Sequence, residues 1–222
     1  MSDRDVVLGK IRRALSVDGG DVGRRAVVVA RLENAPRGIV PERGQVTGEA
    51  RIELFATMAE KVSATVTRVT DRVDIPRVVT EFLRDHNLPA SLRMGDDPLL
   101  NDLPWSVTPI DISHGPSGGS DPVGISHAIA GVAETGTLVL TSGTDNPTTL
   151  NFLPETHVIV VRAEDIAGDY ETIWDMMRER CGERELPRTV NFITGPSRSG
   201  DIEQKLLLGA HGPRRLHVVV VG

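Results

Sequence analysis

Apolar residues recur at helical spacing in residues 3–15, where Val6, Val7, Ile11, Ala14 and Leu15 share a face. Asp3 is placed to cap that helix and Gly19-Gly20 to stop it. Residues 19–48 are rich in glycine, contain Pro36 and Pro41, and lack a clear period. They read as an extended arm, with residues 26–30 as a short strand within it. Beyond them the pattern sharpens. Residues 49–62 predict a helix burying Ile52, Phe55, Ala56 and Ala59, residues 64–69 a β-branched strand, and residues 75–85 a helix that tolerates Pro76 in its first turn. Strands are predicted at 90–94, 107–110, 123–125, 137–141, 157–161, 190–193 and 216–221. Helices are predicted at 127–132, 169–180 and 201–208, with Ser126 capping the first of these, and loops at 114–121 and 146–154. Strands alternating with helices predict an α/β fold with a mostly parallel sheet flanked by helices. The expected division is residues 1–48 as N-terminal helix and arm, and 49–222 as the α/β domain.

Composition narrows the function. With aromatics at 3%, the core has to come from Val, Ile, Leu and Ala, which suits buried parallel strands. A net charge of −6 argues against a general nucleic-acid binder, and the basic residues between Arg24 and Arg43 are diluted by Glu33 and Glu42. No apolar run approaches the length of a membrane span, and the N-terminus has no signal-peptide core, so a cytoplasmic setting is expected. Cys181 is the one cysteine, so neither an intramolecular disulfide nor an iron–sulfur cluster held by this chain alone is expected. His114, His127, His157 and His211 lack metal-ligand spacing, and no metal site is expected.

Three segments can carry chemistry. In Ala133-Glu134-Thr135-Gly136-Thr137, a glutamate precedes a small-residue turn into the buried strand that ends near Ser142. Glu134 there is either a nucleophile or general base, or a carboxylate that fixes the turn by accepting backbone N–H groups. In Thr194-Gly195-Pro196-Ser197-Arg198-Ser199-Gly200-Asp201, a small-residue loop follows a strand and brings two hydroxyls and an arginine together. It reads either as an anion site or as a structural cap, and it lacks a P-loop lysine. In the third segment Gly209 ends the helix expected at 201–208, Gly212-Pro213 turns the chain into the last strand, and His211 either faces a site or caps carbonyls. The polar stretch 145–157 reads either as a substrate loop or as a self-satisfying one.

Taken in order, residues 130–140, 152–157, 194–203 and 209–213 resemble the lactate-utilization (LUD) family, in particular its C-type branch. The resemblance runs over roughly residues 123–222 and extends to the N-terminal half only in general layout. An arginine common in the family ahead of the Leu153-Pro154 element is replaced here by Asn146-Pro147-Thr148-Thr149. The resemblance implies a fold similar to the sugar-phosphate isomerase and CoA-transferase group. It also implies a role beside iron–sulfur partner subunits in oxidising L-lactate to pyruvate, with the clusters in the partners. The expected catalytic group is Glu134. The expected ligand contacts are Thr135, Gly136, Thr137, Ser142, Gly195, Ser197, Arg198, Ser199, Gly200 and His211, around a small anionic metabolite. Two alternatives stand beside this. One is an independent acyl- or CoA-transferase-like or ATP-dependent ligase-like enzyme, since Glu134-Thr135-Gly136 is similar to the Glu-x-Gly turn of some CoA transferases. The other is a ligand-binding scaffold without catalysis.

Overall fold

The computed structural model describes the chain except for residues 1, 19, 183–185, 201–205 and 210. It divides into two units, Met1–Ile39 and Val40–Gly222.

The first unit holds two helices, α1 (Asp3–Ala14) and α2 (Val22–Asn34). The cap of α1 is Ser2, whose hydroxyl accepts from the Asp5 N–H in a reciprocal capping box, and not Asp3 as expected. The expected extended arm is a helix between Asp21, whose carboxylate caps its start, and Ala35, which ends it in the left-handed region. No strand forms at 26–30, because Val27, Val28 and Val29 lie within α2.

The second unit is built on six parallel strands: β1 (Thr65–Val69), β2 (Ser91–Met94), β3 (Asp111–His114), β4 (Val123–His127), β7 (Thr156–Arg162) and β12 (Arg215–Val221). Their order is β1-β12-β7-β4-β2-β3. A second sheet joins β5 (Ala130–Val132), β6 (Thr137–Thr141), β8 (Ile166–Ala167) and β9 (Val190–Ile193) in the order β8-β5-β6-β9. A hairpin pairs β10 (Arg198–Gly200) with β11 (Leu206–Leu208). Among the described residues four helices complete the unit: α3 (Gly48–Lys61), α4 (Ile75–Asp85), α5 (Pro98–Asn101) and α6 (Tyr170–Cys181).

Side-chain alternation explains the layers. Val158 and Val160 of β7, with Val219 and Val221 of β12, face a cluster completed by Ile75, Val79 and Phe82 of α4 and by Leu100 and Trp105. Ile159 and Val161, with Val218 and Val220, face the other way onto Phe55 and Ala59 of α3 and Leu138 and Leu140 of β6. The outer face of the second sheet buries Ala130, Val132 and Val139 against Ile173 and Met177 of α6. Strands buried on both faces have no polar alternation, which is why β7 and β12 read as continuous apolar runs.

Several expectations need correction. Residues 127–132 form the end of β4 and then β5, not a helix, because Ala130, Gly131 and Val132 pair with Val139, Leu138 and Thr137. The strand expected at 107–110 is displaced to β3, with a 3₁₀ turn at Trp105–Val107. Of the helix expected at 201–208, residues 206–208 are a strand paired with Arg198–Gly200, and 201–205 lie outside the described residues. Among the described residues no helix is long and apolar enough to cross a membrane.

Candidate functional site

Two segments converge beside the amino ends of β7 and β12. The first is the loop from Thr194 into β10. Gly195 has φ +74, and a Cβ there would overlap the carbonyl of Val62 at the end of α3, so the loop presses directly onto that helix end. The second is the stretch from Gly209 to Pro213. Ser197 ties the two together: its N–H donates to the Pro213 carbonyl (2.8 Å), its carbonyl accepts from Gly209 (2.9 Å), and its Oγ accepts from the His211 N–H (3.3 Å).

Between them lies a cavity of about 290 Å³, walled by Phe152, Phe192, Thr194 and Arg198 and floored by Asn151, His157 and Leu216. Its position follows from the sheet: His157 and Leu216 are register partners, each the second residue of its strand. Among the described lining residues there is no carboxylate, whereas Arg198 and His211 supply basic groups. Arg198 is exposed and makes no ion pair with another described residue.

The polar groups of the floor are unusual. His157 is fully buried, and burial pushes its imidazole down to about 3, so the ring is neutral at physiological pH. Its Nε2 lies 3.0 Å from Ser126 Oγ, and its Nδ1 is buried without a partner among the described residues. Asn151 is 2% exposed, and neither its Oδ1 nor its Nδ2 finds such a partner. Each orphaned polar group costs about 1–3 kcal/mol of desolvation. Such groups in a cavity wall are what a polar ligand or ordered water satisfies.

The structure therefore brings together four of the expected contacts, Gly195, Ser197, Arg198 and His211. Ser199 and Gly200 pair across the hairpin with Leu207 and Leu206 and are not in the cavity wall. Ser142 closes the edge of the second sheet, donating its N–H to the Thr189 carbonyl and accepting the Thr189 N–H on its Oγ.

Glu134, Thr135, Gly136 and Thr137 form the β5–β6 turn, also outside the cavity wall. Gly136 has φ +65, and a Cβ there would overlap the backbone of Ala59 in α3. Glu134 is buried, its N–H donates to the Gly168 carbonyl (3.0 Å), and its carboxylate lies 3.9 Å from Arg43 Nε. A hydroxyl chain leads from this turn towards the cavity: Thr135 to Thr137 (2.7 Å), both to Tyr170, and Thr137 to Thr194 in the cavity wall (2.7 Å).

Asn151 and His157 line the cavity but were expected only as part of the stretch 145–157, read either as a substrate loop or as a self-satisfying one, and neither was singled out as a contact. His157 stands at the head of an apolar run, where a histidine reads as core, and Asn151 sits in a loop whose Asn and Thr residues suit turns equally well.

Comparison with known proteins agrees with this layout. The LUD domain family matches residues 119–221, which contain every cavity-lining residue named above. Lactate utilization protein C of a Geobacillus species is 38% identical over 100 residues, covering 45% of this chain and 42% of that protein. The protein of the same name from Anoxybacillus flavithermus is 35% identical over 99 residues, covering 45% and 43%. The match thus spans less than half the length of these relatives. A crystal structure of a DUF162 family protein from Deinococcus radiodurans superposes with a TM-score of 0.58 at 20% identity, covering 80% of this chain and 99% of that one, and shows the shared fold. Residues 119–221 of this chain are thus similar to the LUD domain family.

Proposed function

We propose that the chain is a non-redox subunit of a lactate-utilization system, which oxidises L-lactate to pyruvate together with iron–sulfur partner proteins, and that it holds a small anionic ligand in the Ser197–Arg198 cavity. The carrying observation is that cavity: Arg198 at its wall, no carboxylate among its described lining residues, and unpartnered polar atoms of Asn151 and His157 at its floor. Its volume is at the lower end of the range for small-molecule sites. The names of the relatives support the lactate context. An iron–sulfur cluster does not fit this chain, whose only thiol is Cys181 at the end of α6, so the reading assigns electron transfer to the partners.

The division of labour within the cavity follows from charge. Arg198 meets the anion, with the Ser197 hydroxyl beside it. Neutral His157, fixed through Ser126, and the Asn151 amide offer hydrogen bonds to the uncharged end of the ligand without adding charge.

Asn151→Leu separates this reading from a purely structural one. Exchanging an orphaned amide for an apolar group of similar size relieves its desolvation, so the free variant should be more stable by up to about 1–3 kcal/mol in urea unfolding. The same variant should lose the thermal stabilisation that millimolar L-lactate or pyruvate gives the native chain. In a reconstituted assembly, the native chain with its cysteine-rich partners should reduce an electron acceptor from L-lactate, and the N151L or R198Q variant should support under a tenth of that rate. Lactate turnover by the isolated chain, or full activity with R198Q, overturns the proposal.

A further inference from the structure

A second constellation lies at the opposite edge of the parallel sheet. β2 and β4 are neighbours, but their onward connections diverge: the chain leaves β2 for β3 on one side and β4 for β7 on the other. The two connections also take opposite faces. The first adds Leu100, Leu103 and Trp105 to the α4 cluster, and the second adds Leu138 and Leu140 to the α3 cluster. This divergence is a topological switch point, and it opens a crevice at the carboxyl ends of the strands, where open α/β sheets take their ligands. Here the crevice has a volume of about 380 Å³.

Its walls come from those strand ends. Asp97 follows β2, His127 ends β4, Arg162 ends β7 and Arg72 follows β1. His127 Nδ1 lies 3.1 Å from Asp97 Oδ2, while Asp97 Oδ1 accepts the Leu100 N–H (3.2 Å). Burial raises the Asp97 carboxyl, but the hydrogen bond and charge of His127 and the N–H groups of Leu100 and Leu99 outweigh it and hold the group below its ordinary value. An ionised carboxylate only accepts, so His127 donates to it through Nδ1, and in the singly protonated ring this leaves Nε2 with its lone pair. That Nε2 is buried and has no partner among the described residues.

The charges around it differ in availability. Arg162 is committed to Asp165 (2.7 Å) and Glu164 (2.9 Å). Asp102 is exposed at the rim. Arg72 is exposed and makes no ion pair with another described residue.

We propose that this crevice is a second binding site, for a small anion bearing a hydroxyl group, whose hydroxyl donates to His127 Nε2 while Arg72 meets its charge. The site is independent of the Ser197–Arg198 cavity, since the two share no residue.

Long-range proton–nitrogen NMR of the imidazoles in the full ¹⁵N-labelled chain tests it, with histidine signals assigned through single His→Gln variants. The free protein should show His127 with its proton on Nδ1 and Nε2 as a bare acceptor. L-Lactate and glycerol 3-phosphate serve as hydroxylated carboxylate and phosphate probes, and propionate as the carboxylate without a hydroxyl. At least one hydroxylated probe should move the Nε2 signal and propionate should not, with the ratio of the two affinities reporting which anion is preferred. Arg72→Gln, at an exposed position, should keep the native melting temperature and weaken that response at least tenfold. A proton on Nε2 in the free protein, no movement at His127 with either hydroxylated probe, an equal response to propionate, or an undiminished response in R72Q overturns the proposal. His211 reports the other cavity in the same spectra, so silence at His127 with movement at His211 removes this inference alone, and the converse removes only the earlier one.

Discussion

At the scale of single residues, the buried histidines make the protein's stability depend on pH in a definite direction. His157 is buried beside Ser126, and His217 is stacked on Phe82 with its Nδ1 2.8 Å from Thr65 Oγ1. Burial pushes the first down to about 3 and the second, with some help from the charge of His86, to about 4. In the unfolded chain both take up a proton near pH 6.5. Below that pH the unfolded state therefore binds more protons than the folded one, and stability falls on acidification until the folded values are reached. The stability concerned is fully present above pH 6.5. Each histidine gives a limiting slope of about 1.4 kcal/mol per pH unit. Urea unfolding at pH 7 and pH 5 should differ by roughly 4 kcal/mol, and His157→Gln should remove about half of the difference. Equal stability at the two pH values contradicts the assignment. These histidines also show where residue-level reading of the sequence stops. That Ser197, Arg198 and His211 would share one place was legible because glycine-rich turns bring them together. His157 and Asn151 were legible only as members of the ambiguous stretch 145–157, because what singles them out is an unpartnered buried atom, a property of packing that no spacing encodes.

At the scale of elements, the sequence was clearest where one face or both faces of an element are buried by its own pattern. α4 matches its expected bounds residue for residue, and β6, β7, β9 and β12 fall within a residue of theirs. Two of the misread elements are ones whose state is decided by a distant partner. Ala130 to Val132 are small or β-branched and become a strand because β6 returns to pair with them. Leu206 to Leu208 become a strand because Arg198–Gly200 lies opposite. The second sheet as a whole was not anticipated, since its antiparallel pairings leave no signature distinct from that of parallel strands in short apolar runs. The candidate cavity depends on one such junction, the loop that leaves β9 and enters β10. Gly195→Ala tests that dependence. Alanine at φ +74 is strained, and its Cβ meets the Val62 carbonyl, so the loop has to lift from α3. Stability should fall by about 1–3 kcal/mol. The melting transition should stay cooperative, because the three buried clusters include no residue of the loop. The thermal response to lactate or pyruvate should disappear. A variant that responds as the native chain does shows that the loop's closeness to α3 is not what shapes the site.

At the scale of the whole molecule, the two candidate sites occupy opposite edges of one parallel sheet. The Ser197–Arg198 cavity opens beside the starts of β7 and β12, and the Asp97–His127 crevice lies past the ends of β4 and β2. Both are held by the same interior, because β7 gives His157 to one and Arg162 to the other. Alternate side chains along β7 enter the two clusters that flank the sheet. All three clusters draw their residues from between Ile52 and Val221, inside the second unit, whereas α1 and α2 contribute none. A polypeptide of residues 40–222 therefore contains the complete set of buried apolar contacts, along with Arg43 and Gly44, which approach Glu134 and Gly168. Burial of apolar surface is the main favourable term in folding, so this shortened chain should fold by itself. It should unfold in a single cooperative transition, with coincident curves by circular dichroism and tryptophan fluorescence. It should also keep both the lactate-induced stabilisation and the Nδ1–H form of His127. Non-coincident transitions, or loss of the ligand response in a fragment that still folds, would show that residues 1–39 complete a site whose described parts all lie in the second unit.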